Sequence, residues 1–324
     1  MRPRKSQSHF LVYLIWGING TVLIGLLAVS LFYFNQHNPL EVANAASANT
    51  VTPRVAQLGV PTSFFLPTLT PNPYYTPPVF ETSTPFYLSN GQIPGVVGFS
   101  LGGRPIQMFT FGKGQNQYLI VAGIHGGSEW NTIELADQLI TYINDHPDIV
   151  PGDSTLYIIR DMNPDGEARV HDVDGRVNNN GVDLNRNFPT SNWVPDWNRD
   201  GCWSLRPTTG GAFGGSEPET RAVMNFIASH KIQALISYHS AALGVFPGGV
   251  PWEAPSKRLA KILSDATNYP YPPVDTGCVY TGTLADWAVE NGVGAAVDME
   301  LADHKNTDFD KNLKAVQALM SFSP

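Results

Sequence analysis

Four polar clusters in this sequence carry the residue types of hydrolytic chemistry. The first is His125-Gly126-Gly127-Ser128-Glu129. The second runs from Arg176 to Asn187 and contains Gly181-Val182-Asp183-Leu184-Asn185-Arg186-Asn187. His239-Ser240 is the third and Glu300 the fourth. Two neutral imidazoles and a carboxylate that leave a fourth position open make the donor set of a catalytic zinc site. Such an ion polarises a carbonyl and acidifies a water. A second carboxylate is then needed as base, and Glu300, at the end of an apolar strand, has surroundings that raise a carboxylate's pKa. A fixed cation stabilises an oxyanion, and Arg176 is available. Each residue also has an ordinary reading. A lone histidine after a strand is usually a hydrogen-bonded core or surface residue. A Gly-Gly turn is usually only a turn. Arg186 could be a loop-stabilising hub and Glu300 a structural ion-pair partner. It is the four clusters together, in order, that favour chemistry.

The elements that must position these residues follow from hydrophobic periodicity. Gln107–Phe111, Tyr118–Ile124, Leu156–Arg160, Gln233–Tyr238 and Gly294–Leu301 read as strands. Helices are predicted over Glu129–Ile143, Glu217–His230, Ser256–Asn268, Thr283–Asn291 and Asp310–Phe322. In the first of these, Ile133, Ala136, Ile140 and Ile143 fall at helical spacing. Alternating strands and helices predict an α/β domain with a mixed, mostly parallel sheet sandwiched by helices. Ligands of such sheets sit beyond the carboxyl ends of strands. The first and third clusters follow directly after predicted strands, and Glu300 lies near the end of one.

The order of motifs resembles that of the zinc metallocarboxypeptidases, the carboxypeptidase A/B-like peptidases, from about residue 93 to 324. Gly181 to Phe188 is the most specific match. Asn163-Pro164-Asp165-Gly166, Ser216-Glu217-Pro218-Glu219-Thr220 and Met299-Glu300-Leu301 also resemble family segments. The resemblance implies one Zn2+ held by His125, Glu129 and His239, with Glu300 as general base and then acid. It implies that Arg176 polarises the scissile carbonyl. Asn185 and Arg186 would grip the substrate's terminal carboxylate, a bidentate task that suits a guanidinium. Ser240 would line the cleft, and Tyr280 would be the capping tyrosine.

Two departures stand out. The first motif reads His125-x-x-x-Glu129, one residue longer than the family's spacing. A bulge at the glycines could absorb the extra residue, or Glu129 could miss the metal and merely begin a helix. The register before Gly282-Thr283-Leu284-Ala285-Asp286-Trp287 is short, so Tyr280 has no secure family counterpart. In this register Ala285 faces the substrate side chain, which gives no reason to expect a basic-residue preference; Asp286 could instead contact an amine.

The net charge of -8 excludes a basic nucleic-acid-binding face. Phe10 to Phe34 is almost wholly apolar and uncharged, and Arg2, Arg4 and Lys5 precede it. These features predict a transmembrane anchor within residues 1–36 and a catalytic domain outside the cytoplasm. Cleavage near Ala43-Asn44-Ala45 would make the domain secreted. Residues 37–92 are Pro- and Thr-rich and read as a linker, leaving 93–324 as the catalytic domain. Cys202 and Cys278 could form one bridge outside the cytoplasm or stay as buried thiols. The expected activity is hydrolysis of a C-terminal peptide bond by a monomer. A murein γ-D-glutamyl-diaminopimelate amidase is the near alternative. A non-catalytic peptide- or glycan-binding module on a membrane stalk is the distant one.

Overall fold

A computed structural model of the chain describes residues 86–88, 93–197 and 208–324. The apolar run at 10–34, most of the linker and Cys202 lie outside the described residues. Among the described residues no helix is long and apolar enough to cross a membrane.

Seven strands form one sheet in the order β1-β2-β4-β3-β5-β7-β6. They are β1 (Gly95–Phe99), β2 (Pro105–Gly112), β3 (Asn116–Val121), β4 (Ser154–Ile159), β5 (Ile232–Ser240), β6 (Gly244–Pro247) and β7 (Ala296–Leu301). The central neighbours β4, β3, β5 and β7 run parallel. Both edges turn antiparallel, through β1–β2–β4 and through β6–β7. The sheet is therefore mixed, and the expectation of a mostly parallel one holds only for its centre. β1 and β6 escaped the periodicity reading because both are short edge strands with little alternation.

Helices cover both faces because strand side chains alternate. On β3, Tyr118 and Ile120 pack into one apolar cluster while Leu119 and Val121 pack into another. The first cluster is completed by α1 (Trp130–Asp145), α4 (Ala254–Thr267) and α6 (Phe309–Met320). On α1, Leu135, Ala136, Leu139, Ile140 and Ile143 are buried in it, a stripe at the 3.6-residue period. Helix α2 (Pro164–Arg169) is a single short turn region. The second cluster takes α3 (Pro218–Ala228) and α5 (Leu284–Glu290). Pro218 opens α3 at its first turn, where its missing N–H costs nothing. Thr283 caps α5 by accepting the Asp286 N–H at 3.1 Å. At the front, Leu88 is buried in the first cluster, and the Phe86 N–H donates to Gln107. The domain's packing thus begins ahead of residue 93.

Candidate active site

The site lies where β3, β5 and β7 end. The strand predicted through Ile124 stops at Val121, and a loop carries the chain to His125. Residues Gly126–Glu129 then make a 3-10 turn that leads into α1. This turn absorbs the extra residue of the His-x-x-x-Glu motif. Gly126 has φ +45°, and a Cβ on Gly127 would stand 2.0 Å from the Val170 carbonyl oxygen. Only glycines allow the turn to press this close to its neighbours. As a result His125 Nδ1 and Glu129 Oε1 are 2.7 Å apart, both residues buried.

His239 lies inside β5, which runs on to Ser240, rather than after it. The sequence expectation ended that strand two residues early, because a histidine and a serine interrupt its apolar run. The register pairs Ser237 with Asp298 and His239 with Glu300. Alternation then places all four side chains on one face, at the carboxyl ends of adjacent parallel strands. His239 Nδ1 lies 3.3 Å from both His125 Nδ1 and Glu129 Oε2. The Ser240 N–H donates to Glu129 Oε2 at 3.1 Å and fixes that carboxylate.

The donor set fits a metal ion. His125, Glu129 and His239 each offer a ligand atom, and these atoms lie within 4.8 Å of one another. Asp183 Oδ1, an acceptor only, faces His125 Nε2 at 3.1 Å. The His125 proton is therefore on Nε2, and the Nδ1 lone pair faces Glu129. Two lone-pair atoms 2.7 Å apart call for a positive group beside them, and Arg176 Nη1 lies 3.2 Å from each. Burial opposes a charge on His239, yet Asp298 and Glu129 raise its pKa to about 10, which reflects the negative field of these carboxylates. Two histidines, one carboxylate and an outer carboxylate that orients an imidazole match a catalytic zinc centre.

Arg176 is buried beside the ligands. Its Nε donates to Asp183 Oδ2 at 2.9 Å, and its Nη1 lies 3.2 Å from Glu129 Oε1. Burial works against its charge, but Asp183 and Glu129 raise its pKa further. Asp183 answers in kind: burial would raise it, while Arg176 and His125 hold it well below the usual carboxylate range. One carboxylate thus orients both a ligand and the candidate oxyanion cation. Its motif position was plain in the sequence, but its bridging role needed the fold.

Glu300 is half-buried on β7, and its Oε2 accepts the Ala242 N–H at 3.1 Å. Burial raises its pKa; the neighbouring His239 opposes this and Glu129 reinforces it. Asn185 Oδ1 accepts the Leu284 N–H at 2.8 Å, which aims its amide toward His239 Nε2, 3.2 Å away. Arg186 is buried, with its guanidinium 4.4 Å from the Trp197 ring centroid and 4.7 Å from that of Tyr280. Its Nε has no hydrogen-bond partner. Ser240 Oγ donates to Asn131 Oδ1 at 2.9 Å and lies 3.0 Å from His304 Nδ1.

The candidate ligands, Arg176, Glu300 and the substrate-binding candidates line one cavity of about 960 Å³, a size that holds a small peptide end. The structure brings together His125, Glu129, His239, Glu300, Arg176, Asn185, Arg186, Ser240 and Tyr280. Ala285 is a correction. It is 2% exposed and packs in the second apolar cluster, while Asp286 lines the cavity. The helical phase of α5 turns one residue inward and the next outward. Sequence reading also passed over Asp298, His304 and Trp197, which line the cavity too. For Asp298 the signal was present: it stands two residues before Glu300 on a strand, so it shares that residue's face. Cys278, also at the cavity, is disulfide-bonded. The one other cysteine in the sequence is Cys202.

Known proteins resemble this chain in sequence and fold. Mast cell carboxypeptidase A of Rattus norvegicus is 35% identical over 145 residues, 40% of this chain and 34% of that protein. Murein peptide amidase A of Escherichia coli K12 is 34% identical over 150 residues, 44% of this chain and 57% of that protein. Carboxypeptidase A5 of Macaca fascicularis is 30% identical over 241 residues, 64% of this chain and 54% of that protein. The matches thus span about a third to just over half of these relatives' lengths. Among solved structures, murein-tripeptide amidase MpaA from Escherichia coli O157 superposes with a TM-score of 0.55 at 24% identity, over 72% of this chain and 93% of that one. Bovine thrombin-activatable fibrinolysis inhibitor gives 0.59 at 22% identity, over 71% and 89%. Both likenesses show the fold. The family model for zinc carboxypeptidase matches residues 94–317, and the chain belongs to that family.

Proposed function

We propose that this protein hydrolyses the C-terminal peptide bond, or a peptide-like amide bond, of a substrate outside the cytoplasm. One observation carries the reading. Glu300, a carboxylate that is not needed to complete the His125–Glu129–His239 donor set, lies on the same cavity as that set, Arg176 and Arg186. A binding module has no use for such a base.

His125, Glu129 and His239 would hold the zinc ion, which would supply Lewis acidity toward a carbonyl and a water. The chain's own groups do the rest. Arg186 and Asn185 bind the substrate's terminal carboxylate, and Tyr280 and Trp197 flank the guanidinium that receives it. Arg176, fixed by Asp183, turns its remaining N–H groups toward the scissile carbonyl and stabilises the oxygen as charge develops. Glu300 Oε2 is occupied by the Ala242 N–H, which leaves Oε1 to take a proton from the attacking water. The same oxygen then delivers that proton to the leaving amine. Burial of Glu300 raises its proton affinity, which suits both halves of the task.

The location rests on the apolar run at 10–34 with basic residues before it, and on the disulfide at Cys278, a bond of oxidising compartments. A murein peptide amide is the second reading, favoured by the 34% identity to murein peptide amidase A. The test is turnover of C-terminal peptides and of a murein-derived tripeptide by the zinc-loaded chain and by Glu300→Gln. The proposal expects cleavage that falls by orders of magnitude in the variant while substrate still binds. Binding without turnover in both forms would instead make the domain a recognition module.

A further inference from the structure

Ser240 and His304 line the cavity but have no task in the reaction above. Asn131, fully buried at the start of α1, ties the two together. Both N–H bonds of its amide donate to backbone carbonyls, to Asp303 at 2.7 Å and to Asn306 at 3.0 Å. Its Oδ1 therefore faces Ser240 Oγ, 2.9 Å away, and takes that hydroxyl's single proton. Toward His304 Nδ1, 3.0 Å off, Ser240 can then only accept. This chain of donors fixes the imidazole. Nδ1 carries the proton, and the neutral ring keeps its lone pair on Nε2.

His304 is also held by its own turn, in which Asp303 Oδ1 accepts the N–H groups of Lys305 and Asn306 at 2.7 Å each. Among the described residues its Nε2 meets no hydrogen-bond partner. Ser240 pairs with Leu301 in the register, so its side chain leaves β5 on the α1 face, opposite to that of His239. Asn185 and Arg186 stand on the other side, where Asn185 accepts the Leu284 N–H of α5 and Leu184 and Phe188 pack in the second apolar cluster. The candidate ligands lie between, with Glu129 touching Ser240 and His239 touching Asn185. A substrate with its terminal carboxylate on Arg186 and its scissile carbonyl at the ligands therefore extends the rest of its chain toward His304.

We propose that His304 Nε2 accepts a backbone N–H of the substrate upstream of the scissile bond, which makes His304 a specificity-determining residue for peptide substrates. This rests on the hydrolase reading above. Of the groups a peptide backbone offers there, carbonyl oxygens would face lone pair with lone pair, and only N–H groups can meet Nε2. Ser240 is then a positioning residue, because its proton is committed to Asn131 and it acts on substrate through His304. His304 has one rival task, to fix the turn that follows β7. Loss of that task would slow every substrate alike.

The test uses the zinc-loaded full chain at mildly alkaline pH, where imidazoles are generally neutral. Its substrates are acetyl-dialanyl peptides that carry the best-cleaved C-terminal residue, unmodified or N-methylated at one or the other alanine. His304→Ala is expected to lower kcat/KM on the unmodified peptide by about fivefold to tenfold, with zinc content and melting temperature unchanged. Methylation at one of the two alanines should slow the wild type by a similar factor, and on that peptide His304→Ala should add no further loss. A His304→Ala variant that slows the unmodified and both methylated peptides by the same factor overturns the proposal, and so does one that slows none of them. If neither these peptides nor a murein tripeptide is cleaved, the hydrolase reading fails by itself. Wherever the peptides are not cleaved, calorimetry still decides the contact: weaker binding of the unmodified peptide by His304→Ala, with one methylated form unaffected, upholds it, and equal weakening of all three, or of none, sinks it.

Discussion

The two faces of the central sheet are made by the same strands and obey opposite rules. Beneath α1, α4 and α6 the side chains of β3 and β7 are apolar to the ends of the strands, and those of β5 as far as Tyr238: Ile120, Ile236, Tyr238, Val297, Met299 and Leu301 are all buried. On the other face the apolar cluster stops short. Leu235 gives way to Ser237 and His239 along β5, and Ala296 to Asp298 and Glu300 along β7. The first face is arranged for stability, because each buried methylene adds roughly 0.8 kcal/mol. The second holds charged groups out of water. Asp298 Oδ1, Arg186 Nε and Trp197 Nε1 are buried at the cavity without hydrogen-bond partners. A period of two lets one strand serve both ends.

That contrast can be broken in stages. The largest effect belongs to Glu300→Gln, which removes the base while keeping its shape. We expect kcat to fall by about 10²–10⁴-fold, read by steady-state kinetics, with melting temperature little changed. Ile120→Ala on the apolar face should do the reverse. It should lose about 2–5 kcal/mol of unfolding free energy in denaturant titration, with kcat/KM at 25 °C nearly intact. If Glu300→Gln destabilised the fold and Ile120→Ala spared it, the division of labour between the faces would be wrong.

Asp286 sharpens the comparison through pH. Its folded pKa of about 6 lies above the ordinary 3.8. A carboxyl raised in the folded state favours folding while protonated, so its penalty is absent below about pH 4 and complete above about pH 6. The group should cost about 2–3 kcal/mol at pH 7 relative to pH 4. Asp286→Asn should remove that slope and stabilise the substrate-free protein at pH 7. An unchanged pH profile would contradict the surroundings assigned to Asp286. The smallest effect is expected for Asp183→Asn, which leaves the three ligands in place but loosens His125 and Arg176. Zinc affinity measured by chelator competition should drop about 10–100-fold.

How much of this was legible in the sequence depended on whether a residue's role is local. The helices of the first face followed from the spacing of Ile133, Ala136, Ile140 and Ile143, because burial imposes the period directly. The polar clusters stood out because each follows, or ends, an apolar run. The 3-10 turn that brings Glu129 to His125 was not readable. It depends on Val170 and Asn163 pressing against Gly127 and Gly126, and those contacts are made across loops. Asp183 was visible as a motif letter, but its double duty to His125 and Arg176 joins residues 58 and 7 positions apart. Ala285 was misjudged because one residue of helical phase separates the apolar core from the cleft. Asp298 needed only the alternation argument applied backwards from Glu300.

The central claim is that His125, Glu129 and His239 together hold zinc despite the lengthened motif. Its most direct test is the metal content of the purified full chain after dialysis, beside Glu129→Ala and Glu300→Gln. The account predicts close to one zinc per chain in the wild type and in Glu300→Gln, and a sharp loss in Glu129→Ala. Zinc retained in full by Glu129→Ala, or no tightly held metal in the wild type, would contradict it.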